Sequence, residues 1–574
     1  MHMKTIIRPN VFAVFAGVVS VCAGILPSAG ASASVVNINS SSVARPVPGL
    51  ASCPGGPKGE VNIADDHGGP YVGNFNPFDA PISADTQSFV YETLLQYSLT
   101  NSKWIQPWLA SNYAWSDGGR TLTFHLRHNI TWSDGKPFTS ADVAFTFNLL
   151  KNNPATNLKG IVFSSVGTEG PYAVKMTFAQ PEYTELYYIG TQYIVPEHIW
   201  ATIKNPTKFL DGKDPIGTGP YLLTSMTSSD AVLTPNPHYW MKGLPCIAKV
   251  TAPTYLSNTT SNEAMEVGTG DWGGLFIGNG LGNYTSHPGH KVWNPPTGDV
   301  ALYPNLTRAP LNSLPLREAI SLALDRKKIV FLGELNQEHV ITNQTGVILP
   351  RDKYQLAPQY RNANYVQNIS KAKAVLKAAG YTFNSKGALL TPAGKVVTLT
   401  MGAPAAFSDW ITSMTEVASE LKAIGIDATV TPIENTEYFT NLFTGKYQLD
   451  IMATTLGPNS FYQYDGYMYS HNSAPIGTAA TSDYERFTSA KADALINSYL
   501  GTNNPAIQQK DMAGLESIQV NQLPIIPMYY STEWGEYVTT NIAGWPSPSN
   551  PYEASSSYDT PMNEVVLLHL TWKG

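Results

Sequence analysis

The chain has 574 residues, about three to four domain lengths, and 43% of them are hydrophobic, enough to bury real cores and to exclude disordered and fibrous classes. Lys and Arg number 36 against 43 Asp and Glu, a net charge of −7 that argues against a nucleic-acid partner, because neutralising phosphates takes a basic face. Only 14% of residues are charged, against roughly 25% in an average soluble protein, and Ser, Thr, Asn and 31 Tyr give instead a neutral polar surface with many rings.

Lys4 and Arg8 open the chain, the apolar run Val11 to Leu26 follows, and Ser28 to Ala33 supplies small residues of the A-x-A kind. This is the layout of a secretory signal peptide over residues 1–33. The run is about sixteen residues, short of the roughly 20 that span a bilayer, so cleavage and export are expected rather than anchoring. Residues 34–53 read as a flexible leader, rich in Ser, Val, Pro and Gly. Cys22 leaves with the signal, and the remaining Cys53 and Cys246 meet an oxidising compartment where a bridge between them persists. Leu50-Ala51-Ser52-Cys53 also has the look of a lipobox, so a lipid on Cys53 is the alternative, although no hydrophobic run directly precedes it.

Further along, Leu122 to Arg127 alternates like a strand, Trp132-Ser133-Asp134-Gly135 reads as a turn, and Thr139 or Ser140 caps a helix Ala141 to Lys151 with Asp142 in its favourable first turn. Helices are predicted over Leu316 to Leu332 and Ser370 to Gly380. Lys395 to Met401 is a β-branched strand, and Ser408 caps a helix whose apolar stripe is Ile411, Met414, Val417, Ala418, Leu421 and Ile424, ended by Gly425. A strand Ile426 to Val430, a short helix capped by Asn435 or Thr436 and ending at Gly445, and a strand Tyr447 to Thr454 complete an α/β unit.

Residues 107–143 contain Pro107-x-Leu109-Ala110, Trp115-Ser116-Asp117-Gly118, Thr121-x-x-Phe124-x-Leu126-Arg127 and Ile130-Thr131-Trp132-Ser133-Asp134-Gly135-Lys136-Pro137-Phe138-Thr139. Together with Gly217-Thr218-Gly219-Pro220-Tyr221, Asn236-x-x-Tyr239-Trp240, Arg317-x-Ala319-Ile320 and Leu523-Pro524-x-Ile526-Pro527-Met528-Tyr529, this resembles family 5 of the extracellular solute-binding proteins, the receptors of peptide, nickel and oligosaccharide ABC importers. The resemblance covers about residues 59 to 555. It implies an α/β periplasmic-binding-protein fold of two lobes that close over a solute by a hinge, with an extra subdomain inserted in lobe I. On that pattern the solute-binding domain is 54–574, with lobe I at about 54–80, 211–300 and 535–574, the inserted subdomain at about 81–210 and lobe II at about 301–534. Cys246 then falls in lobe I, and Cys53 stands at its start. The turn around Trp132, Asp134 and Gly135 is expected to be structural, a turn with a core ring.

No H-E-x-x-H, G-x-S-x-G or G-x-x-x-x-G-K-[ST] motif is present. His125-x-x-His128 alternates faces on a strand, and His287 with His290 reads as a solvated turn, so no metal or other cofactor is expected. The alternative outside this class is a secreted hydrolase using two carboxylates as acid and base, but nothing singles out a pair.

Peptide-binding relatives hold the peptide ammonium with an Asp shortly after the strand at 447–454; here Gly457 stands at that place, and the nearest carboxylate after it is Asp465, eight residues on. Sugars need flat rings and neutral hydrogen-bonding groups, which 12 Trp and 31 Tyr with few charges can supply. The segments Asp271-Trp272-Gly273-Gly274-x-Phe276 and Gly544-Trp545-Pro546 resemble the cello-oligosaccharide-binding branch. The favoured solute is an oligosaccharide, with an oligopeptide as the alternative. The expected ligand contacts are Asn76, Trp272, Phe276 and Trp545 from lobe I and Trp410 and Tyr464 from lobe II, Trp410 because a helix start after a strand opens onto the crevice. The partners are the solute and the permease subunits of an ABC importer, and the protein is expected to be an exported monomer.

Overall fold

Strand Pro296–Pro304 shows how lobe II is layered. Its side chains alternate between faces, so Val300 and Leu302 enter one core with Leu316, Ile320, Met414 and Val417, while Ala301 and Tyr303 enter another with Tyr438, Leu442, Tyr464 and Leu515. It belongs to a five-stranded sheet in the order Asp427–Ile433, Thr398–Pro404, Leu449–Ala453, Pro296–Pro304, Ile526–Thr532. The first three strands are parallel, and the last two antiparallel to their neighbours. Helices cover both faces, the arrangement a sheet with two apolar faces requires. The lobe boundary expected at about residue 301 falls inside this strand.

The computed structural model describes residues 49–50, 52–64, 74–78, 86–255, 258–558 and 560–574. The signal segment 1–33 and the leader through residue 48 lie outside the described residues. No described helix is long and apolar enough to cross a membrane.

Local signals set most helix ends, with three corrections. The single helix predicted from Leu316 to Leu332 is two, Leu314–Ala323 and Arg326–Leu332, because the Asp325 carboxylate accepts from the N–H groups of Lys327 and Lys328 and starts a new helix. Ser408 is the first residue of Ser408–Leu421 rather than its cap; Phe407 precedes it without a side-chain bond. Glu434, accepting from the Glu437 N–H, caps Asn435–Thr444 in place of Asn435 or Thr436. The helix Ser140–Asn152 does start with a capping box between Thr139 and Asp142.

Lobe I carries a sheet in the order Lys58–Asn62, Ile247–Pro253, Asp230–Pro235, Tyr221–Met226, and a small sheet of Trp272–Gly273, Glu536–Val538 and His290–Val292. An antiparallel sheet of Ala110–Ser116, Thr121–Leu126, Ala173–Thr177 and Ser165–Thr168 builds the inserted subdomain. Subdomain and lobe share one continuous core, running from Trp108, Phe124 and Trp132 to Val250 and Trp272. Cys53 and Cys246 are joined as a disulfide with Cα atoms 5.6 Å apart, tying the segment before the first strand to the strand beside it across 193 residues.

The turn at Trp132–Gly135 is structural. The Trp132 ring is buried against Phe138, the Ser133 N–H donates to Gly217 O at 2.9 Å, and Asp134 meets His198 at 2.9 Å. Two sequence motifs that lie about eighty residues apart thus hold each other in place.

Candidate functional site

Among the described residues, two segments run side by side where the lobes meet. Pro296 pairs with Thr532, the Glu533 N–H donates to Pro295 O at 3.1 Å, and the Trp293 N–H donates to Gly535 O at 3.0 Å. A Cβ on Gly535 would stand 1.9 Å from the Ser555 hydroxyl, so only glycine allows this approach. A two-stranded crossing of this kind is the geometry of a hinge.

Around the crossing, residues from all three regions converge. Gln337 of lobe II makes two hydrogen bonds to the backbone of Ile277 in lobe I, each 2.9 Å. Leu99 of the inserted subdomain is gripped from both sides: its N–H donates to Glu553 at 3.0 Å, and its carbonyl accepts from the Arg351 guanidinium at 2.8 Å. Arg351 is itself held by Asp352 at 2.9 Å, with both side chains almost fully buried. Burial pushes Glu553 up to about 8 and Glu533 up to about 7, the latter against the pull of Thr297, Tyr558 and Arg351. Asp299 is fully buried, both its carboxylate oxygens lack a hydrogen-bond partner, and burial raises it well above the usual range.

Beside these contacts opens a cleft of about 760 Å³, within the size range of small-molecule sites. Its wall is made of the Trp293 ring, prolines such as Pro295 and Pro551, and the amides of Asn294, Asn336 and Gln337. Among the described residues that line it, Arg351 is the only permanently charged side chain, and its guanidinium is already engaged. Such a wall suits a neutral polar solute.

Of the six predicted contacts, only Phe276 lies at the lobe junction, half-buried and edge-on to Trp534 at 6.0 Å. Trp272 is fully buried; its N–H donates to Ser555 O at 2.5 Å and its ring packs between Phe89 and Trp545. The glycines around it leave no local core, but segments hundreds of residues away supply one. Trp545 is 7% exposed, stacks on Tyr537 at 5.2 Å and donates to Val538 O at 3.1 Å. Tyr464 is buried in the second lobe-II core with its hydroxyl on Thr345 O at 2.6 Å. Asn76 spends its amide on a turn, donating to Pro206 O at 2.6 Å and accepting from the Phe78 N–H at 2.8 Å. Trp410 packs edge-on to Phe407 against the first lobe-II core. Trp272, Trp545, Tyr464 and Asn76 are thus buried and hydrogen-bonded within the fold, while Trp410 is half-buried. His290, read as part of a solvated turn, is buried with Nε2 on Met265 O at 2.8 Å.

The peptide anchor is also absent at its expected place. A Cβ on Gly457 would stand 2.5 Å from the Tyr462 side chain, so no carboxylate fits there without moving that ring. Asp465 faces Glu185 and Tyr188 of the inserted subdomain, and burial pushes it up to about 7.

Residues 105–475 match the family described as bacterial extracellular solute-binding proteins, family 5, middle part. The nickel-binding periplasmic protein of Escherichia coli K12 is 28% identical over 411 residues, 67% of this chain and 74% of that protein. Among solved structures, a periplasmic oligopeptide-binding protein of an ABC transporter from Thermotoga maritima superposes with a TM-score of 0.84 at 22% identity, covering 90% of this chain and 99% of that one. A mannohexaose-bound structure under the same description superposes with a TM-score of 0.78 at 23% identity, covering 90% and 98%. These likenesses establish the fold, a two-lobe α/β periplasmic-binding-protein architecture.

Proposed function

The chain belongs to family 5 of the bacterial extracellular solute-binding proteins, the solute receptors of ABC importers, and we propose that the solute it carries is a neutral oligosaccharide. The observation that carries this reading is the wall of the lobe-junction cleft, where an indole ring, prolines and amides leave, among the described residues, a single permanent charge that is already paired. Carbohydrate offers C–H faces to a ring and hydroxyls to amides, and needs no counter-ion. The Thermotoga maritima protein, described as oligopeptide-binding, holds mannohexaose on the same fold, which supports the reading by analogy. Export by the signal at 1–33, monomeric action and delivery to membrane permease subunits belong to the same proposal.

A peptide is the second reading, and Asp299 favours it, because a buried carboxylate without partners is a place for an ammonium. A thermal-shift screen separates the two: cello-, manno- and xylo-oligosaccharides against di- to pentapeptides, with nickel(II) as a third arm. A solute at 100 times its Kd stabilises by about 2.7 kcal/mol. Stabilisation by a sugar supports the reading; stabilisation by peptides or nickel alone overturns it.

A further inference from the structure

A second cleft, of about 410 Å³, lies between the inserted subdomain and lobe II, away from the hinge. Its walls come from residues 97–115 and 183–187 on one side and 354–355, 458–462 and 499–512 on the other. Among the described residues that line it, not one is charged. In its place are rings, with Tyr97, Tyr113, Trp115, Tyr187, Tyr354 and Tyr462 turned to one space, and amides, with Gln355, Asn459 and Gln508 between them. Tyr97 is only 2% exposed, yet its hydroxyl has no hydrogen-bond partner, an unfavourable state for a buried polar group. Trp115 is half-buried beside Tyr183, ring centroids 5.1 Å apart.

We infer that this cleft is a second binding site for a neutral oligosaccharide, formed when lobe II meets the inserted subdomain. The inference rests on the oligosaccharide reading above and adds a place that the lobe junction does not include. An uncharged wall gives a peptide terminus or a metal ion nothing to pair with. Rings and amides, each amide both donor and acceptor, match the alternation of C–H faces and hydroxyls on a sugar chain. A sugar hydroxyl at Tyr97 would satisfy the orphaned group. The two clefts sit on either side of the Leu99–Arg351 hydrogen bond: Thr100 and Arg351 line the first, Ser102 and Tyr354 the second. The same closure that makes this bond brings the walls of the second site together.

The test uses the exported protein labelled with 5-fluorotryptophan and titrated with mannohexaose and cellopentaose, the Trp115 fluorine signal being assigned with Trp115→Phe. That signal should move saturably with one of the two sugars. Tyr354→Ala, at a position 45% exposed, should raise the concentration for half-shift of Trp115 by about three- to tenfold, with an unchanged melting temperature. Gln508→Leu should do the same and stands in if the first variant is unstable. A Trp115 signal that stays still while other tryptophans respond, or a half-shift concentration untouched by both variants, overturns the second site and leaves the oligosaccharide reading standing. No tryptophan response and no binding heat with either sugar overturns both.

Discussion

The lobe-II sheet and the junction between the lobes are built by opposite rules. In the sheet, alternate residues of one strand serve alternate cores, and helices that cover it adjoin the sheet's strands in the chain. At the junction the partners are far apart in the chain: Gln337 meets Ile277 across 60 residues, Arg351 meets Leu99 across 252, and Glu553 meets Leu99 across 454. The sheet binds by apolar area, whereas the junction binds by a few directional bonds. A region of the second kind can part and re-form without unfolding either lobe.

The contrast is sharpest four residues apart, at Trp272 and Phe276. Trp272→Ala removes a fully buried indole and should cost about 3–5 kcal/mol of stability with affinity per folded molecule unchanged, read by denaturant melts and a binding isotherm. A small stability loss with lost binding would return Trp272 to the site. Next in size is the bridge between Cys53 and Cys246. Reduction, or replacement of both by Ser, should lower stability by about 2–4 kcal/mol, and denatured unreduced protein should show no free thiol. Two titratable thiols before reduction would contradict it.

The junction carboxyls give a pH dependence. Glu553 and Glu533 hold their protons to about 8 and 7 in the folded protein, while unfolded carboxyls release them near pH 4. Between those limits the folded state binds more protons, so stability is greatest below the unfolded value and falls as pH rises toward 8. Glu553→Gln should flatten that fall by roughly 1.4 kcal/mol per pH unit or less, visible as a smaller difference between melts at pH 5 and pH 8. The smallest effect is expected at Phe276→Ala, within about 1 kcal/mol in stability because the ring is half-buried at the edge of the junction.

Where structure follows from local pattern, the sequence is a good guide. The strand at 449–453, the helix stripe through Met414 and Val417 and the left-handed Gly425 need only neighbours a few residues away. Asp325 is a capping residue set inside an apolar run, and the continuity of that run hides the helix break it makes. The site is the opposite case. Gln337 and Arg351 sit in a stretch without regular period, and their partners have no sequence relation to them. At Trp272 and Trp545 the Gly and Pro neighbours suggest an open loop, while the packing partners Phe89 and Tyr537 come from elsewhere in the chain.

Native mass spectrometry on the folded protein, incubated with an equimolar mixture of manno-, cello- and xylo-oligosaccharides and di- to pentapeptides, asks most directly what is carried between the lobes. The account predicts a bound mass equal to whole anhydro-sugar units, lost on unfolding. A bound mass equal to amino-acid residues, or no bound mass from either set, would contradict it.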